Sequence, residues 1–154
     1  MVHRPRLLYV LADGAHARFV DWSAETHAFV TAKSMDGSHL LDVVRAEQRD
    51  EPAGRSFESA SPARHGVGRE DSYRRAKQAF AADVAKTLRE HLRRTSYEGV
   101  VLVAPPRLLK VLRAGLAGFS PVVGELGKDL TKTPDHELGE WLSPLSLAPL
   151  GEKR

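Results

Sequence analysis

The chain has 154 residues and a formal net charge of +3, and 42% of its residues are hydrophobic. This length suffices for one domain with a proper core but not for two, so we predict a single domain. The absence of cysteine excludes a disulfide framework, a thiolate metal site and a cysteine nucleophile, and it fits the cytoplasm, where we expect the protein to act. No apolar run approaches membrane-spanning length, so we expect no membrane partner.

The first part of the chain has the pattern of three strands. Residues 6–13 are apolar on both faces, which is typical of a central strand, and they end in Asp13-Gly14, a strong signal for a two-residue hairpin turn. Residues 15–22 and 27–34 have the composition of the next two strands. The sequence therefore predicts an antiparallel meander.

A long polar segment follows the meander. Residues 39–47 have the pattern of a short helical turn, and we predict a long loop at about 48–70 because glycine, proline, serine and arginine dominate there. From Gly54 to Arg69 we expect no regular structure.

From Asp71 onward the pattern alternates between helices and strands. Large apolar residues recur every four positions over residues 71–94, which is typical of a helix packed on a core; they are Phe80, Val84, Leu88 and Leu92. The elements predicted after this helix are a buried strand at 99–105, a helix from Pro106, a strand at 121–126, and a helix at 135–142 with Leu138, Trp141 and Leu142 facing inward.

This order of elements predicts an α/β fold. We expect a mixed five-stranded sheet, with a three-stranded antiparallel meander followed by parallel crossovers and with helices on its faces, in a ribonuclease H-like layout. The domain is predicted to span residues 1–143, and residues 144–154 to form a flexible tail.

A ribonuclease H-like layout raises the hypothesis of a metal-dependent nuclease, which needs several carboxylates around two metal ions. Asp13 ends the first strand, a suitable position, but the fourth strand ends in "VAPP" without an acid. The favoured interpretation of Asp13 is an ordinary turn residue. The seven histidines show no metal-ligand spacing, so we predict neither a metal nor another cofactor.

Four blocks of sequence carry a resemblance to a known family: "LYVLADGAHARFVDW", "GRSFES", "VVLVAPPRLLKVLRAGL" and "GELGKDLT". In this order they resemble the bacterial host-attachment protein family, whose members are described as required for attachment to host cells. More distantly, the series is similar to the middle domain of archaeal and eukaryotic class-1 peptide-chain release factors. The motif positions to which we assign no role are Asp13, Gly14, Gly54, Arg55, Ser56, Pro105, Pro106, Arg107, Lys128 and Asp129.

The release-factor resemblance implies a basic loop suited to RNA. In that domain, a Gly-Gly-Gln tip between the third strand and the long helix assists hydrolysis of peptidyl-tRNA. Here the corresponding stretch holds Gly54-Arg55-Ser56 and, further on, Gly66-Val67-Gly68. The residue that would carry the hydrolysis is absent, so we do not transfer this activity and favour a protein that is not an enzyme.

Basic residues in and after the loop are the candidate RNA ligands. We predict that phosphate contacts come from Arg55, Arg64, Arg69, Arg74 and Arg75. The alternative is an ordinary solvated surface, since Glu58, Glu70 and Asp71 interleave with these arginines. Lys86, Arg89 and Arg93 are placed on the solvent face of the long helix, and Lys128 with Asp129 is interpreted as a local ion pair.

The function favoured by this sequence is a non-catalytic module that binds structured RNA or the ribosome. The alternatives are a cytoplasmic protein-interaction or regulatory module with a protein partner, acting indirectly in host attachment, and the less favoured metal-dependent nuclease.

Overall fold

A computed structural model describes the backbone of residues 5–50 and 62–146 and the side chains of residues 5–46 and 70–145. The strands are β1 (Leu7–Ala12), β2 (His16–Ser23), β3 (Ala28–Asp36), β4 (Gly99–Val103) and β5 (Val122–Leu126). The helices are α1 (Ser38–Asp50), α2 (Pro62–Arg94), α3 (Pro106–Gly115) and α4 (Gly139–Ser146), and a 3-10 helix spans Asp135–Glu137.

The strands form one mixed sheet in the order β3-β2-β1-β4-β5. β1 pairs antiparallel with β2, and β2 pairs antiparallel with β3. β1 also pairs in parallel with β4, and β4 pairs in parallel with β5. The predicted α/β fold, with a meander followed by parallel crossovers, is confirmed.

Each face of the sheet has its own hydrophobic core. Because side chains alternate along a strand, Leu8 and Val10 of β1 lie on one face, and Leu7, Tyr9 and Leu11 lie on the other. The first face, which we call the helical face, is covered by α2 and α3, and α1 packs on α2. The second, the segment face, is covered by residues 127–142, and its core includes Leu130, Leu138 and Leu142.

α2 packs closely on its neighbours along the predicted apolar stripe. Phe80, Val84 and Leu88 are buried, as the four-residue spacing indicated. A Cβ atom added to Gly37, just before α1, would lie 2.1 Å from Cδ1 of Phe80. One added to Gly115 of α3 would lie 2.7 Å from Cβ of Ala85. Side chains at these two glycines would push α2 away from α1 and α3.

The predicted loop at about 48–70 is wrong at both ends. α1 continues to Asp50, and α2 begins at Pro62, so residues 62–70 are helical where we predicted no regular structure. Proline suits the first position of a helix. Gly66 and Gly68 have a low helix propensity, but this free-energy cost is offset because extending an existing helix is easier than starting one. Residues 51–61 lie outside the described part of the chain.

The end of the chain also differs from the prediction. The predicted helix at 135–142 is divided into the 3-10 helix and α4, which meet near Gly139, a residue poorly suited to a helix interior. Trp141 is 36% exposed instead of facing inward, whereas Leu138 and Leu142 are buried as predicted. Residues 144–146 of the predicted tail belong to α4, and residues 147–154 lie outside the described part.

Among the described helices, none has both the length and the apolar character needed to cross a bilayer.

Candidate functional site

The parallel strands bring three separate segments together at one edge of the sheet. β1, β4 and β5 run in the same direction, so the residues that follow them lie side by side. We call this the carboxyl edge and define it as residues 13–15, 104–107 and 127–131. Ligands of open α/β sheets characteristically bind outside the carboxyl ends of the strands. The family-motif positions in the described part of the chain all lie at this edge: Asp13, Gly14, Pro105, Pro106, Arg107, Lys128 and Asp129.

Asp13 organises the turn between β1 and β2. Its Oδ1 atom accepts hydrogen bonds from the backbone N–H groups of Ala15 at 2.8 Å and His16 at 2.7 Å. Its own N–H donates to the carbonyl oxygen of His16 at 2.8 Å. The connection therefore comprises residues 13–15, one residue more than the predicted two-residue turn. These contacts are those of an Asx turn.

Thr131 links this turn to the segment after β5. Its hydroxyl lies 2.9 Å from Oδ2 of Asp13 and 2.6 Å from Oδ1 of Asp129, and its single proton can be donated to one carboxylate at a time. Partial burial acts to raise the pKa of Asp13, but hydrogen bonds from the Ala15 N–H, the Thr131 hydroxyl and the His16 N–H outweigh it and hold that pKa below its usual value. Asp13 is thus kept ionised, and its hydrogen bonds link the β1–β2 turn to the segment after β5.

These contacts bear on the nuclease hypothesis. Both carboxylate oxygens of Asp13 are engaged in hydrogen bonds, which supports its interpretation as a turn residue. Within residues 5–46 and 70–145, the His, Asp and Glu side chains form no group of three or more able to hold a metal ion.

Arg18 of β2 fastens residues 130–135 to the sheet. Its side chain is only 12% exposed, and its guanidinium lies 2.5 Å from the Asp135 carboxylate. The same group donates to Oγ1 of Thr31 and to the carbonyl oxygens of Leu130, Thr131 and Thr133. A guanidinium has five N–H donors and can therefore serve several acceptors at once. In a regular helix or strand, backbone N–H groups would donate to these carbonyl oxygens instead. Arg18 thereby fixes the irregular segment that carries Thr131.

The predicted ion pair between Lys128 and Asp129 does not form. Asp129 accepts hydrogen bonds from the N–H of Thr131 at 3.0 Å and from its hydroxyl. Nζ of Lys128 lies 4.2 Å from the centroid of the Trp141 ring. An exposed ion pair contributes little, so the local turn around Asp129 takes precedence.

A cleft opens beside the carboxyl edge, between the β1–β2 turn, α2 and the first turns of α3. Its volume is about 970 Å³. The residues that line it are Gly14, Glu70, Asp71, Tyr73, Arg74, Lys77, Gln78, Pro105, Arg107, Leu108 and Val111. It combines an aromatic ring and aliphatic groups with three basic and two acidic side chains.

The aliphatic stem of Lys77 lies against the β1–β2 turn. A Cβ atom on Gly14 would lie 3.0 Å from both Cγ and Cδ of Lys77, so the aliphatic stem of the lysine packs on the bare backbone of the glycine. Arg74 forms an exposed ion pair with Asp71. Among the described side chains, none forms an ion pair with Lys77 or Arg107. These two cations are the groups in the cleft best suited to receive an anion.

The predicted RNA ligands are only partly brought together. Arg74 lines the cleft, and Arg75 is exposed on a neighbouring side of α2. Arg64 and Arg69 lie within α2, but their side chains are outside the described set, and Gly54, Arg55 and Ser56 are outside the described backbone. The contact of these arginines with RNA stays a prediction.

Three residues at or beside this edge, Lys77, Thr131 and Arg18, were not singled out as site residues by sequence reasoning. A signal for Lys77 was present, because it falls four residues after Tyr73 and three before Phe80, on the apolar stripe of α2. For the contact of Thr131 with Asp13 and the contacts of Arg18 with residues 130–135 no local pattern gives a signal, since these partners are more than a hundred residues away in the sequence.

Comparison with known proteins supports a relationship to release factors. A search of curated proteins found no match. A family model described as bacterial archaeo-eukaryotic release factor family 12 matches residues 6–142, which includes both cores and the whole carboxyl edge. The predicted similarity to release factors is thereby supported at the level of the family, while the host-attachment name stays a prediction. The chain belongs to the bacterial archaeo-eukaryotic release factor family 12.

Proposed function

We propose that this protein is a non-catalytic, translation-related module that binds RNA in the cytoplasm, with the ribosome as its main target. The observation that carries the proposal is the cleft at the carboxyl edge, where Lys77 and Arg107 stand without an ion-pair partner among the described side chains. Membership of a release-factor family makes ribosomal RNA the natural source of the phosphates that these cations would bind. A role in host attachment would then be indirect.

The proposed absence of catalysis rests on the residues that are present. The stretch between β3 and the apolar stripe of α2 holds Gly54-Arg55-Ser56 and, within α2, Gly66-Val67-Gly68 in place of Gly-Gly-Gln. In the described part, the acid at the end of β1 is engaged in the turn. We therefore expect no peptidyl-tRNA hydrolysis and no nuclease activity above background.

Sedimentation with ribosomes tests the proposal. Wild-type protein should co-sediment with ribosomes, and treatment with RNase should release it. The double variant Lys77→Ala/Arg107→Ala should bind more weakly, and its log affinity should depend less steeply on log salt, by about 1.4 to 1.8 units for two lost phosphate contacts.

A matched control is Lys33→Ala/Arg45→Ala, which also removes one exposed lysine and one exposed arginine but leaves the cleft unchanged. It should bind like wild type. If the cleft variant also binds like wild type, or if binding survives RNase, the proposed RNA contact is wrong and an interaction with a protein partner replaces it.

A further inference from the structure

α2 carries a second set of cations on the side opposite its apolar stripe. At 3.6 residues per turn, an arc of about 60° on this helix holds four cations: Arg75, Lys86, Arg89 and Arg93. The centre of the arc lies roughly 175° around the helix from the Phe80–Leu88 stripe. We call these four residues the basic ridge. Arg75, Lys86 and Arg93 are exposed, and Arg89 is half-buried. The ridge extends over roughly 27 Å at 1.5 Å per residue.

Acidic residues do not interrupt this ridge. By the same helical geometry, the residues within or beside the arc between Arg75 and Lys86 are the neutral Gln78, Ala79 and Ala82. Asp83 and Glu90 lie about 65° to 85° from the centre of the ridge. The ridge therefore presents three closely spaced cations, Lys86, Arg89 and Arg93. Arg75 lies about 17 Å from Lys86 along the helix, and Asp71 falls in the same arc one turn before Arg75.

An exposed aromatic ring stands at one end of the ridge. Phe119, in the turn between α3 and β5, is 43% exposed. The guanidinium carbons of Arg89 and Arg93 lie 5.5 and 5.1 Å from the centroid of its ring. Arg89 also donates to the carbonyl oxygen of Gly115 at 2.9 Å, which anchors it to the end of α3. Two arginines thus hold an aromatic ring at the surface.

Aromatic rings and guanidinium planes that follow a line of cations are the features by which proteins bind single-stranded nucleic acid. Bases stack on the rings, and the cations contact the phosphates. Trp141 is the other aromatic residue among the large exposed hydrophobic side chains of the described part. It differs from Phe119 because a single described cation, Lys128, is placed over its ring.

We propose that the basic ridge binds a segment of single-stranded RNA, with a base stacked on Phe119. This inference rests on the proposed RNA-binding function and adds to it a second contact, which runs along the outer side of α2 to Phe119 at the opposite end of the sheet from the cleft. The phosphates would lie along Lys86 and Arg93, and Arg89 would hold the ring in position.

Binding of a labelled single-stranded RNA of about eight nucleotides, followed by fluorescence anisotropy, tests this inference. Phe119→Leu should weaken binding by about tenfold, because a stacking contact is lost while an apolar side chain is kept. Phe119→Trp should restore it. Lys86→Ala/Arg93→Ala should flatten the dependence of log affinity on log salt by about 1.4 units.

Trp141→Leu is the matched control, since it removes an exposed aromatic ring from the other face of the sheet and should leave binding unchanged. Circular dichroism should show that each variant is folded. Equal affinity for wild type and Phe119→Leu, or loss of binding in Phe119→Trp, would overturn the proposed stacking contact.

The same variants separate this inference from the proposed function. If ribosome binding depends on Lys77 and Arg107 but short RNA is bound equally by wild type and Phe119→Leu, the ridge proposal is wrong and the cleft proposal stands. If binding of short RNA depends on Phe119 but the protein does not bind ribosomes, the proposed ribosomal target is wrong and the ridge proposal stands. If wild type binds neither RNA, both are wrong.

Discussion

The two faces of the sheet are covered in different ways. On the helical face, long regular helices place apolar side chains at fixed intervals, and the main-chain polar groups are satisfied within the helices themselves. On the segment face, residues 127–138 include irregular stretches, and three of their carbonyl groups accept hydrogen bonds from a side chain of β2, Arg18. One face is thus stabilised chiefly by packing, and the other combines packing with long-range hydrogen bonds. Each mode of stabilisation predicts its own response to mutation.

The largest effect is expected on the helical face. Phe80→Ala removes a buried ring that contacts Gly37 and lies in the middle of the apolar stripe, so it should lower the free energy of unfolding by about 3 to 5 kcal/mol. Urea unfolding measures this change. An unchanged free energy of unfolding would mean that the stripe of α2 is not part of the core.

A smaller but still large effect is expected on the segment face. Arg18→Leu keeps the length of the aliphatic stem but removes the guanidinium that donates to the carbonyl groups of Leu130, Thr131 and Thr133. It also removes the cation beside the Asp135 carboxylate, which keeps its hydrogen bonds from Thr31. Half-buried acceptors are costly to leave unsatisfied, so we expect a loss of about 2 to 4 kcal/mol.

Arg45→Leu is the control for this change, because Arg45 is exposed and pairs only with Asp42 among the described side chains. Its effect on the free energy of unfolding should be close to zero. If the two variants unfold at the same urea concentration, Arg18 does not fasten the segment.

The same contrast explains what the sequence could predict. The stripe from Phe80 to Leu92 and the aliphatic run at 99–103 follow from local periodicity, so the helical face, the strands and the mixed sheet could all be anticipated. The start of α2 could not, because Gly66 and Gly68 suggest a loop while the helix continues through them. The ends of three strands were identified as motif positions, but only the parallel pairing of β1, β4 and β5 shows that they share an edge.

The side-chain contacts at that edge were beyond local patterns. Thr131 meets Asp13 across more than a hundred residues, and Arg18 binds carbonyl groups, which every residue carries. Lys128 and Asp129 are neighbours of opposite charge, yet they turn to different partners. Where a contact depends on folded geometry and not on spacing, sequence reasoning identified the motif position but not its partner.

The smallest expected effect concerns pH and separates the two faces once more. Burial lowers the pKa of His91, on α2, against the attraction of Asp21. The Tyr97 hydroxyl donates to Asp21 at 2.6 Å and lies 3.2 Å from Nε2 of His91, so its oxygen can only accept from the imidazole. Burial, and not this polar network, therefore favours the neutral imidazole. Because the folded pKa lies below the unfolded value of about 6.5, the contribution of His91 is fully present above that pH and is lost as pH falls through it toward the folded pKa.

On the segment face the corresponding loss comes at lower pH. Burial acts to raise the pKa of Asp135, but hydrogen bonds from Thr31 and Arg18 outweigh it and place that pKa below its ordinary value of 3.8. Its contribution is therefore present above that value and lost only as pH falls through the depressed pKa.

The free energy of unfolding, measured by urea titration from pH 8 downward, should fall in two stages. His91→Gln should remove part of the upper stage and leave the lower one, and Asp135→Asn should remove part of the lower stage alone. Both changes should be small because the two groups are partly exposed and water screens them. A single acid transition that neither variant alters would show that these groups do not couple the stability of either face to pH.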